Sequence, residues 1–213
     1  MKRLIILLIL LVNSISFAQN SSDAKALLNE VSEKVRSYEN IWIEFKYVLD
    51  NSEENIKQET RGDVVLEGNK YVLNILGTTR IYDGTTLYSI SPEDEEVTIS
   101  KEDFNDENTV TPSKMLSFYE DGFTYNMDIV QNVKGRKIQY VKLNPITSDT
   151  EINYILLGID VKTKHIYNLI EIGSNGTRTT LTVNSFKTNE QLSKSLFTFD
   201  ESKYNDYYIN KLD

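Results

Sequence analysis

The chain has 213 residues, a formal net charge of −9 and an isoelectric point of about 4.8. It contains no cysteine and one histidine, which excludes disulfides, acylation at cysteine and a zinc site built from several His or Cys ligands. The acidic balance argues against nucleic acid as a partner and against electrostatic docking on anionic lipid.

Residues 1–18 have the pattern of an export signal. Two basic residues open the chain, an apolar run occupies residues 4–12, and residues 16–18 form a small-x-small cleavage site. The apolar run is shorter than the roughly 20 residues that a membrane-spanning helix needs. We therefore predict a signal peptide cleaved after residue 18, a single mature domain over residues 19–213, and a periplasmic location.

The first predicted element of the mature chain is an amphipathic helix with Ser22 as its N-cap. Apolar residues recur along it at spacings of three and four, which places them on one helical face: Ala24, Leu27, Leu28, Val31, Val35 and Tyr38. This pattern is typical of a surface helix that covers a core.

Three strands and a hairpin are predicted next. Residues 41–49 alternate bulky apolar side chains with other side chains, which is the clearest strand signal in the chain. Val64 and Leu66 mark a second strand, and alternation over residues 71–75 marks a third beyond a turn at residues 68–69. Asp83-Gly84 predicts a tight hairpin, because glycine tolerates the positive φ that such turns require.

The second half of the chain begins with the acidic segment 101–110, predicted to be a loop, after a short strand through Val97 and Ile99. Thr111-Pro112 then predicts the N-cap and first turn of a short helix. Five further segments read as strands: 125–129, 138–142, 152–161, 165–173 and 177–186. The segment 152–161 is apolar on both faces, which predicts that both faces are covered. Strands joined by hairpins predict one antiparallel sheet, strongly curved or partly closed into a barrel.

The residues that covalent chemistry needs are missing from the sequence. His165 is the only histidine, no thiol exists and no G-x-S-x-G turn occurs. The acidic runs at 93–96 and 103–107 lack the alternating oxygen ligands and central glycine of a calcium loop. We therefore predict that the protein is not an enzyme and uses no metal and no cofactor.

The order of these segments resembles the outer-membrane lipoprotein carrier (LolA-like) family. The resemblance extends over nearly the whole predicted mature chain and rests on the first helix followed by six motifs: W-I-E-F at 42–45, G-D-V-V-L at 62–66, K-Y at 70–71, the D-G hairpin, P-S-K-M-L at 112–116 and F-T-F-D-E-S-K-Y at 197–204. Each motif is short, so the order of the motifs carries the resemblance.

The resemblance implies a mainly β fold with α (α+β), an incomplete antiparallel β-barrel with an N-terminal helix and a short helical lid over an apolar cavity. It implies a periplasmic carrier that receives acylated lipoproteins from an inner-membrane lipoprotein-release complex and delivers them to the outer membrane. We expect a monomer, because a carrier that exchanges partners gains little from a permanent dimer. We expect the alternating strand residues to line the cavity: Ile41, Ile43, Phe45, Tyr47, Leu49, Tyr71, Leu73 and Ile75. We expect the lid to contribute Met115, Leu116 and Tyr119.

Two alternatives remain open from the sequence. The first is a periplasmic binding protein for another lipid or apolar ligand. The second is an interaction or sensor domain whose interior is filled by its own side chains, since simple core packing also produces this alternation. The sequence further departs from family members that carry a basic residue before proline in the turn after the G-D-L strand. Gly68 occupies that turn, so we expect an outer-membrane acceptor of unknown identity, or direct release to the membrane.

Overall fold

The structure is a computed structural model that describes residues 2–101, 111–147 and 149–212, with side chains described from residue 19 onward. Most of the predicted acidic loop, residues 102–110, lies outside the described residues. Within the described part of the chain, no helix is both long enough and apolar enough to span a membrane.

The described residues form one open sheet of twelve strands. The strands in chain order are β1 (Ile41–Asn51), β2 (Ile56–Glu67), β3 (Lys70–Ile75), β4 (Thr78–Tyr82), β5 (Thr86–Ser91), β6 (Glu96–Lys101), β7 (Phe123–Val133), β8 (Arg136–Pro145), β9 (Ile152–Asp160), β10 (Ile166–Gly173), β11 (Arg178–Thr188) and β12 (Tyr208–Lys211). The helical elements are α1 (Lys2–Arg36), α2 (Pro112–Met115) and two 3-10 turns, Phe118–Glu120 and Glu201–Tyr204.

The order of strands across the sheet is β12-β6-β5-β4-β3-β2-β1-β11-β10-β9-β8-β7. Its two edges, β7 and β12, do not pair with each other, so the predicted mainly β fold with an incomplete barrel is confirmed. One edge departs from the predicted antiparallel pairing, because β12 pairs with β6 in parallel. The chain crosses the outer face of the sheet before it forms β12, and therefore reaches β6 running in the same direction.

Helix α1 covers the concave face of the sheet at β7–β10. Its apolar face contains the predicted Ala24, Leu27, Leu28 and Val31, all buried against side chains of β8–β10. Near the start of this face, the Asn20 amide accepts the Met127 N–H at 2.6 Å and donates to the Met127 carbonyl at 3.4 Å. Asn20 thereby satisfies part of the free edge of β7.

The predicted helix start is wrong. The backbone of residues 2–21 is already helical, so Ser22 lies inside α1 and does not cap it. The segment before Ser22 contains no glycine or proline that would interrupt a helix. In the full chain the export-signal pattern and the amphipathic pattern therefore share one continuous helix.

The outer face of β1–β4 is covered by the C-terminal segment, residues 189–207. Phe197 of this segment packs on Val65 and Val72, and further along Phe199 stacks on Tyr88 with ring centroids 4.6 Å apart. Trp42 lies among the same outer-face contacts. The single tryptophan is therefore on the opposite side of β1 from the concave face.

Both faces of β9 are covered, as predicted, but only one by a helix. Ile155, Leu157 and Ile159 face α1 and are buried. The outer face is covered by side chains of the sheet itself, among them Tyr140, which lies over the backbone of Gly158. A side chain at Gly158 would collide first with Asn168 Oδ1 and would also crowd Tyr140, which explains a glycine in the middle of a strand.

Candidate functional site

A cavity of about 250 Å³ lies on the concave face, on the half of the sheet that α1 leaves uncovered. It is enclosed by strands β1–β3 and β9–β11 and by the lid segment, defined as residues 111–120. The described residues that line it carry no charge: Ile43, Phe45, Tyr47, Val64, Leu66, Leu73, Ile75, Pro112, Met115, Leu116, Phe118, Leu157, Ile166, Leu169, Leu181, Val183 and Phe186. Such a surface binds hydrocarbon and offers almost nothing to a polar ligand.

The register between β1 and β11 decides which side chains of β11 form the cavity wall. Ile43 pairs with Phe186, whereas Phe45 pairs with Val183, so the register shifts between them. The shift leaves Asn184 as an extra residue in β11, which is a β-bulge. Without the bulge, positions 183 and 186 would face opposite sides of the sheet; with it, both side chains line the cavity.

Five of the eight residues predicted to line the cavity do so: Ile43, Phe45, Tyr47, Leu73 and Ile75. Ile41 and Tyr71 are instead buried beyond one end of the cavity, where Tyr71 stacks on Tyr82 at 5.6 Å. Leu49 lies beyond the other end, where the β1–β2 hairpin extends past β3. Alternation places all eight on one face, but the cavity occupies only the middle of that face.

The lid segment contributes two of its three predicted residues to the cavity. Thr111 caps α2 as predicted, its Oγ1 accepting the Lys114 N–H at 3.2 Å. Met115 and Leu116 reach the cavity. Tyr119 does not, because it is fully buried against α1 and its phenol oxygen accepts a 3.1 Å hydrogen bond from Ser32.

The end of the lid segment nearest β7 is firmly anchored. Arg36 donates to both carboxylate oxygens of Glu120, at 2.7 and 2.5 Å. The Tyr125 hydroxyl donates to the backbone carbonyls of Tyr119 and Glu120, each at 2.9 Å. The α2 end lines the cavity with the apolar side chains of Pro112, Met115 and Leu116.

His165 lies behind the cavity wall, in the turn before β10. Its Nε2 is 2.7 Å from the Tyr38 hydroxyl, and its ring stacks on Phe186 with centroids 4.1 Å apart. Burial lowers the pKa of His165, and Lys34 lowers it further while Asp160 opposes the shift. The imidazole therefore stays neutral near pH 7 and supports the position of Phe186.

Sequence reasoning missed the wall contributed by β9–β11, namely Leu157, Ile166, Leu169, Leu181, Val183 and Phe186. The alternation of apolar residues within the predicted strand 177–186 was a usable signal that Leu181 and Val183 line the cavity. The bulge at Asn184 breaks the two-residue period, and a second irregularity in β10 after Ile166 breaks it again. Period-based reading assigns residues beyond such a break to the wrong face.

Gly62 allows Phe45 to lie flat across β2. A Cβ at this position would come within 2.5 Å of the Asn74 carbonyl oxygen and 2.6 Å of Phe45 Cζ. We expect Gly62→Ala to lower the free energy of unfolding by about 1–3 kcal/mol, because the backbone carbonyl cannot yield to the methyl group. Urea denaturation measures the loss, with the exposed Gln58→Ala in the same strand as control. Equal stability of the two variants would contradict the close packing of β2 on β3.

The family model described as "Outer membrane lipoprotein carrier protein LolA" matches residues 36–200, which is more than half of the chain. No curated protein matches the chain in sequence.

Among solved structures, an uncharacterized conserved protein from Thermus thermophilus matches with a TM-score of 0.56 at 10% identity, over 89% of this chain and 99% of the other. LprF from Mycobacterium bovis matches with a TM-score of 0.50 at 10% identity, over 82% and 98% of the two chains. The LolA superfamily protein NE2245 from Nitrosomonas europaea is also found, with a TM-score of 0.42 at 11% identity, over 83% and 98%. At these identities the first two show a shared fold only. The family match over residues 36–200 goes further and confirms the resemblance: the chain belongs to the LolA family of outer membrane lipoprotein carrier proteins.

Proposed function

We propose that this protein is a periplasmic carrier that shields the acyl chains of lipoproteins and ferries them from the inner to the outer membrane. The observation that carries the proposal is the uncharged cavity beneath the lid segment, in a chain of the LolA family. Transfer of an acyl chain from water gains about 0.8 kcal/mol per methylene, on the order of 10 kcal/mol for one long chain. An unassisted lipoprotein would not cross an aqueous space at a useful rate against that cost.

The size of the cavity supports a lid that moves. Its volume of about 250 Å³ is slightly below the roughly 300–1,000 Å³ of typical ligand pockets, so acyl chains need more room than the closed form provides. Pro112, Met115 and Leu116 cover the cavity, while the Glu120 end is held by Arg36. Displacement of α2 about the anchored turn would enlarge the cavity, and open and closed forms that differ by a few kcal/mol allow both pickup and release.

The direct test is a titration of the mature protein with a lipopeptide that carries acyl chains, followed by native mass spectrometry. The same peptide without acyl chains is the control. We expect saturable one-to-one binding of the acylated peptide only. Absence of binding by either peptide would overturn the proposal and leave the filled-core interaction or sensor domain as the better account.

Fluorescence gives a second readout, although Trp42 itself is a poor reporter because it lies on the outer face under the C-terminal segment. A Trp42→Phe, Met115→Trp variant places the reporter on the lid segment, beside the cavity. We expect its emission to shift to the blue when acyl chains bind. The emission of the unmodified protein should change little, which makes it the matched control.

The choice of cargo separates the proposal from its nearest alternative, a binding protein for another lipid or apolar ligand. The uncharged cavity wall does not by itself distinguish acyl chains on a protein from those of a fatty acid or a glycolipid. Competition experiments, in which a fatty acid or a glycolipid displaces the bound lipopeptide, rank the affinities of these ligands. Tighter binding of the free lipid than of the lipopeptide would favour the alternative.

The export pattern of residues 1–18 supports a periplasmic location with a cleaved signal peptide, and the mature protein would act as a monomer. Its partners would be acylated lipoproteins, an inner-membrane release complex and an outer-membrane acceptor that is still unknown. Gly68, at the turn where some family members carry a basic residue, has a φ of +57°, which strains any side chain, but a Cβ there would meet open space. We expect Gly68→Arg to leave lipopeptide binding unchanged and to affect only transfer to an acceptor.

The proposed role is binding without catalysis. His165 is enclosed by Tyr38 and Phe186 rather than presented to the cavity. Incubation of the protein with an ester-linked diacyl lipopeptide should therefore leave the peptide intact, and hydrolysis would contradict this part of the proposal.

A further inference from the structure

A glutamate lies on the concave face next to the cavity. In β10, Leu169 lines the cavity and Glu171 follows two residues later on the same face. In β11, Leu181 pairs with Leu169, and Thr179 pairs with Glu171. Two residues of a strand span roughly 7 Å, so the carboxylate and the threonine lie one cross-strand pair beyond the apolar wall.

The surroundings of Glu171 are apolar on its other side as well. Its partner in β9 is Ile155, which is buried. Glu171 is half-buried, and no described side chain or backbone group donates a hydrogen bond or an ion pair to its carboxylate. Burial accordingly raises the pKa of Glu171, with no charged neighbour contributing to the shift.

Two other carboxylates that are at least partly buried are, by contrast, paired with backbone N–H groups. Asp160 accepts the backbone N–H groups of Lys162 and Thr163 at 2.9 and 3.2 Å. Asp83 accepts those of Thr85 and Thr86, each at 2.9 Å. Glu171 is half-exposed and has no such partner among the described residues, so its carboxylate is free to accept a hydrogen bond from a ligand bound in the neighbouring cavity.

We propose that Glu171, assisted by Thr179, recognises a cationic or hydrogen-bond-donating head on the ligand whose acyl chains occupy the cavity. The inference rests on the proposed function and names its substrate class: lipoproteins whose N-terminal cysteine carries two chains on its thioether-linked glycerol and retains a free α-ammonium group. The chains and this ammonium are joined within a few bonds, which matches the short step from Leu169 to Glu171 along β10.

The charge of the ligand head would distinguish these lipoproteins from N-acylated lipoproteins and from anionic lipids. An ammonium beside a sheltered carboxylate forms a charge-assisted hydrogen bond that is stronger than a neutral one. An N-acylated cysteine has lost that charge and offers a single amide N–H. Anionic lipid heads are repelled, both by Glu171 and by a chain whose net charge is −9.

The test uses the mature protein and three lipopeptides with one uncharged peptide sequence. The first is diacylated with a free amine, the second is the same diacylated peptide with an N-acetyl group, and the third carries a third acyl chain on nitrogen. The N-acetyl peptide is the decisive comparison, because its two chains are those of the first peptide.

At pH 7 we expect the free-amine peptide to bind about tenfold tighter than the N-acetyl peptide, the gain of one charge-assisted contact. Glu171→Gln should remove that preference while it still binds both peptides, and the exposed Glu44→Gln on the outer face should keep it. Equal binding of the two peptides by the wild-type protein would overturn the inference, as would a preference that survives Glu171→Gln. Failure of all three peptides to bind would instead overturn the proposed function.

Stability supplies an independent readout that also shows the variant is folded. Burial raises the pKa of Glu171 in the folded protein above its ordinary value of 4.5. The protonated carboxyl therefore stabilises the fold fully below pH 4.5, and this stabilisation is lost as the pH rises through the raised pKa of the folded state. Unliganded Glu171→Gln should therefore unfold at a higher temperature than the wild type at pH 7, with the gap closing below pH 4.5. A lower unfolding temperature for the variant at pH 7 would show that Glu171 has a structural partner, and would contradict the inference.

Discussion

Val183→Trp is expected to weaken acyl-chain binding roughly a hundredfold while the protein remains folded. Val183 lines the cavity from β11, opposite the lid segment, and its side chain is only partly buried. An indole at this position would occupy space that acyl carbons need within a cavity of about 250 Å³. Exclusion of about four methylenes costs about 3 kcal/mol, or roughly a hundredfold in Kd.

Native mass spectrometry with the acylated lipopeptide measures the loss, and circular dichroism checks that the fold is intact. Asn184→Trp is the matched control, because Asn184 is exposed at the neighbouring bulge and lies outside the cavity. Wild-type affinity in Val183→Trp would mean that acyl chains bind elsewhere on the molecule.

Leu143→Ala is expected to destabilise the protein far more than Leu181→Ala. Leu143 is fully buried between α1 and the sheet, where truncation of a leucine costs about 2–5 kcal/mol. Leu181 is only partly buried and already borders empty space. Its truncation loses fewer contacts and creates little new cavity, so we expect less than half of that loss.

Urea denaturation of both variants compares the two halves of the concave face directly. Similar losses of unfolding free energy in Leu143→Ala and Leu181→Ala would mean that the part of the concave face under the lid segment is packed as tightly in solution as the part under α1. That outcome would favour the filled-core interaction or sensor domain over a carrier.

Local patterns predicted the individual elements well. The strand expected over residues 41–49 is β1, Ile41–Asn51. Thr111 caps α2, and Asp83-Gly84 turns between β4 and β5 with Asp83 accepting two backbone N–H groups. Alternation, caps and turns depend on neighbours within a few residues, which the sequence states directly.

Errors occurred where the outcome depended on distant residues. Tyr119 belongs by sequence to the same short apolar run as Leu116, yet its side chain packs on α1 and bonds to Ser32 rather than lining the cavity. Ser22 has a good N-cap side chain but lies within a longer helix. The parallel pairing of β12 with β6 depends on the path of residues 189–207 over the outer face, which no local pattern encodes.

The sequence by itself determined most of the strands, the lid helix, the apolar inner face and, through the order of its motifs, the family. Only the tertiary structure decided that α1 fills one half of that face while the lid segment leaves a cavity over the other half. It also decided that Glu171 lies beside that cavity with no protein partner among the described residues. The physical reason is that alternation specifies which way a side chain points, whereas burial and pairing depend on what packs opposite it, far away in the chain.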